Sequence, residues 1–402
     1  MKVLHVIPSV GPLRGGPSFV IQSITKGLAA RGCEVHIATT DDNGPERLTV
    51  PMGRAVSKDG VTYWYFPRQT DFYLFSWPLF LWLKHHVRDF ELVHIHTLFS
   101  FPVIPAAYWA HHYGVPYVVR PLGTLNRWGI QNRRPWLKQA SLRLIDGRVL
   151  AGAAAVHYTS EQERTEAEEV TSVRRAAVIP NPVDFHLDRG ALPADCLGAR
   201  FPELAGKKRI LFLSRLDPKK GIDLLLDAYA QLRRRSADIA LILGGTGEEA
   251  FMQKLRKMAG DLGIGDEVVW AGFLEGEQKK AAMAHAHIYA LPSYSENFGI
   301  AAVEGMAAGL PIVVSDQVAI HHEIAEAGAG LVVPCDAKSL AAALQRLLDN
   351  ADLRGEMGRR GQLLAETFSL ARVSGHLLEL YGKLTNGQPS PGQLLQRNGV
   401  RK

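Results

Sequence analysis

The stretch "SYSENFGIAAVEGMAAGLP" from Ser293 sets two carboxylates, Glu296 and Glu304, around glycine, alanine and a few apolar side chains. Glu296 precedes a short helical pattern that starts near Phe298, and Glu304 lies inside it. The free N–H groups and positive dipole end of such a helix favour a phosphate. The two acids are then left to accept from hydroxyls, which sugars carry densely. A capping acid and a solvated helix glutamate fit the same residues. A second candidate is "SRLDPKKG", where Arg215 and Lys220 stand on a tight turn after an apolar run. A fork-shaped guanidinium and a compact ammonium suit a diphosphate, and a solvated charged loop is the plain alternative. In "LGGTGEE", Gly244, Gly245 and Gly247 follow another apolar run, where missing side chains would let a nucleotide approach the backbone. In "GPLRGGP", Gly15 and Gly16 lead into a helix near Ser18, where free N–H groups can meet an anion. The spacing is not G-x-G-x-x-G, so a dinucleotide fingerprint matches poorly.

These four motifs need strand ends to hold them. Short β-branched runs alternate with stretches of helical period, the pattern of parallel βαβ units, and the pattern occurs twice. "KVLHVIPS", "CEVHIATT", "LVHIHT" and "PYVVRP" predict a sheet in the first half, with a helix presenting Val20, Ile24 and Leu28. "KRILFLSRL", "IALILGG", "EVVWAGF", "HIYALPS" and "LPIVVSD" predict a second Rossmann-like sheet, with Leu225, Ala228, Tyr229 and Leu232 on one helix face. Ligands of such sheets sit outside the carboxyl ends of the strands, where all four motifs fall. Residues 184–206, rich in Pro, Gly and Asp, read as a linker between two domains.

Composition agrees with a globular chain. The 402 residues are 47% hydrophobic and 21% charged, enough for a large core divided over two domains. A net charge of +6 favours anionic partners such as phosphates or acidic lipid surfaces and gives no argument for nucleic acid. Cys33, Cys196 and Cys335 suggest no disulfide framework and fit a reducing compartment. The first apolar run is too short for a signal peptide's core, and the aromatic stretch 72–83 is shorter than the roughly 20 residues of a spanning helix. That stretch fits a buried core. With Trp77 and Trp82 beside Lys84, His85, His86 and Arg88, it also fits anionic lipid headgroups, as does a second patch with Arg127, Arg133, Arg134 and Lys138. His94 and His96, and likewise His285 and His287, alternate without a third ligand nearby, and "TTDDN" holds adjacent acids rather than Asp-x-Asp. No metal is expected. The strand-end position of His94 and His96 leaves acceptor contact open.

Taken together, "GGPSFVIQSITKGLAARGCEVHIATT", "SRLDPKKG", "GGTGEE" and "PSYSENFGIAAVEGMAAGLPIVVSD" resemble the retaining glycosyltransferases of family 4, over residues 1–385. The pattern E-x-F-G-x-x-x-x-E is complete from Glu296 to Glu304. The resemblance implies the α/β GT-B fold, two Rossmann-like domains facing each other across a cleft. An acceptor-binding domain would span 1–188 with a C-terminal helix, about 369–385, crossing back to it. A nucleotide-sugar domain would span 189–368, and 386–402 would be a disordered tail. It implies that Arg215 and Lys220 hold the donor's diphosphate, that Glu296 and the backbone of Phe298 and Gly299 meet the donor sugar, and that Glu304 accepts from the ribose. Gly245 and Asn297 would join the donor site, Gly272, Phe273 and Leu274 would lie beside the base, and the loop of Gly15 and Gly16 would close over the reacting centre.

The expected activity is transfer, with retention, from a nucleotide-diphosphate sugar to a glycan or lipid-linked acceptor in polysaccharide or glycolipid synthesis. It would need no metal or other cofactor and no nucleic acid, and would run in the cytoplasm at the inner face of the membrane. Two departures from the family stand out. Leu122 precedes Gly123 where many relatives have histidine, so the leaving phosphate would itself take the acceptor's proton. "PNP" replaces Pro-Asn-Gly at the domain link, a change that reads as structural. A nucleotide-sugar epimerase of the same fold and a dinucleotide-dependent oxidoreductase are the competing classes.

Overall fold

The computed structural model describes residues 1–127, 130, 135–171, 175–187 and 193–386. The tail 387–402 and the basic residues Arg133 and Arg134 lie outside the described residues. The chain forms two compact units: Met1–Pro182 with the chain from Leu370 onward, and Val183–Ser369. Both crossings lie side by side, since Val183 donates to the Phe368 carbonyl (2.9 Å).

In the first unit the main strands are β1 (Lys2–Val6), β2 (Glu34–Thr40), β3 (Ala55–Lys58), β4 (Val61–Phe66), β5 (Leu92–His96), β6 (Tyr117–Arg120), β7 (Ala155–Tyr158) and β8 (Ala176–Val178). They form one sheet in the order β8-β7-β6-β5-β1-β2-β4-β3, parallel except for the edge pair β3 and β4. Its helices include α1 (Gly16–Ala29), α2 (Trp77–His86) and α3 (Val103–His112). Every residue of β5 is buried, as expected for a parallel strand covered on both faces. Val20, Ile24 and Leu28 put the apolar stripe of α1 in the core.

The second unit carries β9 (Lys208–Leu213), α4 (Ile222–Arg233), β10 (Ile239–Gly244), β11 (Val268–Gly272), α5 (Gly276–Ala284), β12 (Ile288–Leu291), α6 (Ile300–Ala307), β13 (Ile312–Ser315) and β14 (Gly330–Val333). Its sheet is wholly parallel, in the order β11-β10-β9-β12-β13-β14. The last helix, α7 (Leu370–Thr385), belongs to the first unit. Val373, Leu377 and Tyr381 bury its inner face, and a Cβ on Gly27 of α1 would collide with Ser374.

Two segments differ from their sequence reading. Of 184–206, the part from residue 193 is no bare linker: Cys196–Arg200 is helical, Leu197 and Leu204 enter the second core, and Asp195 pairs with Arg209 at 2.6 Å. Short apolar spacing hid this packing. The aromatic stretch, for its part, divides between core and surface. Leu79, Trp82 and Leu83 are buried, Trp82 against Trp64, whereas Phe72 and Trp77 remain 60% and 49% exposed.

Candidate active site

The strand order of the second unit reverses between β9 and β12, so the loops that leave these two strands part to opposite sides and open a crevice at their carboxyl ends. "SRLDPKKG" is one of those loops and "SYSENFG" the other. They are tied together: Tyr294 donates its N–H to the Lys219 carbonyl (2.8 Å), and Gly221, at φ 66°, turns where a Cβ would run into the Pro292 carbonyl.

At this junction the Lys220 ammonium donates to the Glu296 carboxylate, both side chains being largely buried. Burial pushes the Glu296 carboxyl up, but Lys220, then Lys219 and the Phe298 N–H, outweigh it and leave it below the ordinary carboxylate value. The Lys219 ammonium is lowered too, by burial first and then by the charges of Lys220 and Arg215. Arg215 is exposed and has no hydrogen-bond or ion-pair partner among the described residues. Three cations thus meet at the strand ends, opposed by Glu296 and Asp217. Asp217 is already engaged, accepting from the Lys219 N–H at 3.2 Å.

Glu304 sits one turn into α6 and accepts from Lys279 of α5 at 2.6 Å. The Lys279 ammonium also lies 5.9 Å from the centre of the Phe185 ring. α6 begins at Ile300, behind Gly299 at φ 88°, two residues later than the sequence suggests. Phe298 is buried edge-on against Phe368, so only its backbone is offered, and Asn297 is half-buried beside it.

The glycine cluster after β10 works differently from its sequence reading. A Cβ on Gly245 or Gly247 would strike the carbonyl of Ser214 or Leu216, and Leu216 donates to the Thr246 carbonyl at 2.8 Å. The missing side chains admit the neighbouring loop, not an open face for a ligand. Gly245 also donates to the Gly272 carbonyl (2.7 Å), which joins that loop to the end of β11. Gly272 has φ 75° with open space at its Cβ position. Beyond it Phe273 is 61% exposed and Leu274 is core.

Gly15 and Gly16 belong to the first unit, at the start of α1, with open space where their Cβ atoms would stand. Leu122, at φ 58°, precedes Gly123, whose N–H donates to Glu163 (2.6 Å). The reading of the H-x-H pair needs correcting. His5 is the register partner of His94 across β1 and β5, so a third imidazole stands beside His94 and His96, and ligand atoms of all three lie within 4.8 Å of one another. His157 joins them from β7. All four are fully buried, so His94 and His96 present nothing to an acceptor. Burial first, and then Arg120 for His5 and His157, holds those two imidazoles down at about 3; His94 and His96 shift the same way by burial, other imidazoles and Arg120.

A cation would sit poorly there. The Arg120 guanidinium is buried alongside, bonded to Asn181, and among the described residues no carboxylate bonds to the cluster. The hydrogen bonds instead fix neutral tautomers. His157 donates to the Ile179 carbonyl (2.7 Å), His94 to His157 (3.4 Å), and Tyr381 of α7 to His94 (2.6 Å). Sequence reasoning also passed over Lys219 and Lys279. Lys219 stood inside a motif already marked, whereas Lys279 meets Glu304 from 25 residues away and left no local signal.

Known proteins show the same organisation. Residues 199–363 match the model of the glycosyl transferases group 1, and residues 15–182 that of the glycosyl transferase 4-like domain. The chain is 28% identical to the phosphatidyl-myo-inositol mannosyltransferase of Mycobacterium leprae, over 95% of this chain and 96% of the relative. Sucrose-phosphate synthase from Thermosynechococcus elongatus superposes with a TM-score of 0.78 at 20% identity, covering 96% of this chain and 100% of that one. Anabaena HepE in complex with UDP-glucose gives 0.76 at 20% identity, covering 95% and 100%. The two family models together take in most of the chain, which belongs to the group 1 glycosyl transferases and is a glycosyltransferase of the GT-B fold.

Proposed function

We propose that the second unit binds a nucleoside-diphosphate sugar and that the sugar passes, with retention of configuration, to a glycan or lipid-linked acceptor held by the first unit. The observation that carries this reading is the meeting of Arg215, Lys219 and Lys220 at the strand ends, with Glu296 as the buried counter-ion. Departure of the diphosphate leaves an oxocarbenium-like sugar and gathers negative charge on the leaving oxygen. Fixed cations and the N–H groups at the start of α6 stabilise that charge where it develops. Arg215, exposed and without a partner among the described residues, turns onto the diphosphate. Glu304 accepts from the ribose hydroxyls, and Phe273 offers an exposed ring at the end of β11 for the base. No imidazole precedes Gly123, so the leaving phosphate takes the acceptor's proton. Because protein cations supply the counter-charge, the reaction runs without a metal.

The named activity of the M. leprae relative supports a lipid-linked acceptor, and the UDP-glucose bound by HepE supports the donor class. Among the described residues no helix is long and apolar enough to cross a membrane. An amphipathic face does exist. Trp77 stacks on Phe80, Phe80 meets Trp109, and Tyr108 packs on Trp109, with Lys84 over the same indole and His85 and Arg88 exposed nearby. We read it as a surface for anionic lipid, from which salt should release the protein in vesicle sedimentation.

Release of nucleoside diphosphate from a panel of UDP- and GDP-sugars tests the central reading. Arg215→Ala should lower turnover by ~10²–10³ without changing the melting temperature, and a chelator should leave the wild type unaffected. Turnover near wild type in Arg215→Ala would remove the diphosphate site.

A further inference from the structure

The adjacent acids of "TTDDN" are used neither for metal nor for the donor site, yet Asp42 is fully buried at the carboxyl end of β2. Its carboxylate accepts a two-pronged contact from Arg14, Nε at 2.6 Å and Nη2 at 2.8 Å, and a further bond from buried Arg68. Arg14 is the last residue of the short turn Pro12–Arg14, directly before Gly15 and Gly16. The same segment is fastened at three more points. Ser9 donates its hydroxyl to the Asp42 carbonyl (2.6 Å) and accepts from the Gly11 N–H (3.0 Å), and the Asn43 side chain accepts from the Leu13 N–H (3.0 Å). The approach is close enough that a Cβ on Gly11 would strike Asn43 and the Asp42 carbonyl. Gly15 itself is held at φ 74° and ψ −139°, a conformation that side-chain-bearing residues do not adopt without strain.

We infer that Asp42 is a positioning residue: through the Arg14 fork it presets the loop of Gly15 and Gly16, so that the Gly16 N–H at the start of α1 is aimed before substrate arrives. The inference rests on the reading that this loop takes part in transfer. The physical reason is entropic. A glycine-rich loop loses much conformational freedom when it orders, and a loop already fixed at its base spends less of the interaction energy on ordering. The planar fork matters because two parallel charge-assisted bonds fix direction as well as distance, which an ammonium cannot do. Buried Arg68, bonded to the same carboxylate, keeps Asp42 in place when Arg14 is removed.

The experiment uses the full chain, with hydrolysis of the best UDP- or GDP-sugar as the turnover assay, calorimetric binding of the matching nucleoside diphosphate, and amide hydrogen exchange. Arg14→Ala should speed exchange at residues 13–20 by tenfold or more and lower turnover about tenfold. Nucleotide affinity and melting temperature should stay unchanged. Arg14→Lys should behave like Arg14→Ala, since charge without the fork does not fix the loop. Asp42→Asn should reproduce the turnover loss, and the Arg14 variants stand in for it where it fails to fold. Gly15→Val separates the two layers of reading. Should Gly15→Val keep its turnover, the loop has no part in the reaction and the clamp has no purpose. A Gly15→Val variant that loses turnover beside an Arg14→Ala variant that keeps it overturns the clamp alone. Full rescue by Arg14→Lys, or exchange at 13–20 unchanged in Arg14→Ala, overturns it as well.

Discussion

Two buried polar clusters, one in each unit, are held by opposite means. At the strand ends of the second unit, buried Lys220 meets Glu296 and partly exposed Lys279 meets Glu304, each cation facing a carboxylate. Beneath the strand ends of the first, four imidazoles and Arg120 share a buried face, and among the described residues no carboxylate is bonded to them. An ion pair stays in register with its charges present, so it can be opened by a ligand that offers better partners. A neutral imidazole network can only be disturbed by a proton. The comparison therefore sets ion pairs that a charged ligand can open against an imidazole cluster that only a proton disturbs.

Acid should separate them most strongly. The four imidazoles have folded pKa values below the ordinary 6.5, two of them at about 3. The unfolded chain takes up these protons first. Stability is therefore full above pH about 6.5 and declines as pH falls toward 3, by up to about 1.4 kcal/mol per pH unit for each imidazole. In the second unit, half-buried His287 shifts the same way, one group against these four and half-buried His36 of the first unit. Glu296 is depressed below 4.5, so its contribution is present above that value and is lost only as pH falls past it. Between pH 6.5 and 4.5, amide exchange in β5 and α7 should rise well before exchange in β9 and β12. Loss of the second unit first would break the contrast.

At the proposed donor site the effect is kinetic. Lys220→Met leaves Glu296 buried without its partner, and Glu296→Gln frees Lys220, so each should cost ~10²–10³ in turnover. Because the two act as one device, the double variant should lose little more than the worse single one. Losses that multiply would show two independent groups and dissolve the pair as a unit.

What could be read in advance follows the same division. The candidate site of the second unit was legible because its residues lie in continuous loops at strand ends, and a topological switch point brings two such loops together whatever the rest of the chain does. "SRLDPKKG" and "SYSENFG" therefore carried most of the signal. The histidine cluster was not legible, since His5, His94 and His157 meet only through the register of parallel strands, and no local pattern records which strand lies beside which. For the same reason H-x-H looked like an incomplete site. The glycines after β10 misled in another way: Gly245 and Gly247 are demanded by the backbone of a neighbouring loop, a steric cause that sequence cannot tell from room for a ligand.

The smallest effect expected concerns Lys279, the partner that sequence missed. Lys279 fixes the Glu304 carboxylate by a bond of 2.6 Å while remaining partly exposed, so solvent screening limits what the pair contributes to folding. Its removal should hardly move the melting temperature. It should instead loosen the orientation of a group proposed to accept two ribose hydroxyls, and loss of one such oriented bond costs about 1 kcal/mol, roughly fivefold in affinity. Lys279→Met should therefore weaken calorimetric binding of the nucleoside diphosphate by a few fold, and Glu304→Gln by more, since an amide is the poorer acceptor. A 2′-deoxyribose nucleotide decides what the pair is for. If Glu304 grips the ribose, wild type should bind the deoxy form more weakly, and Glu304→Gln should bind both forms nearly alike. Should the variant discriminate against the deoxy nucleotide as strongly as wild type does, the pair serves only to hold α5 to α6, and the ribose is bound elsewhere.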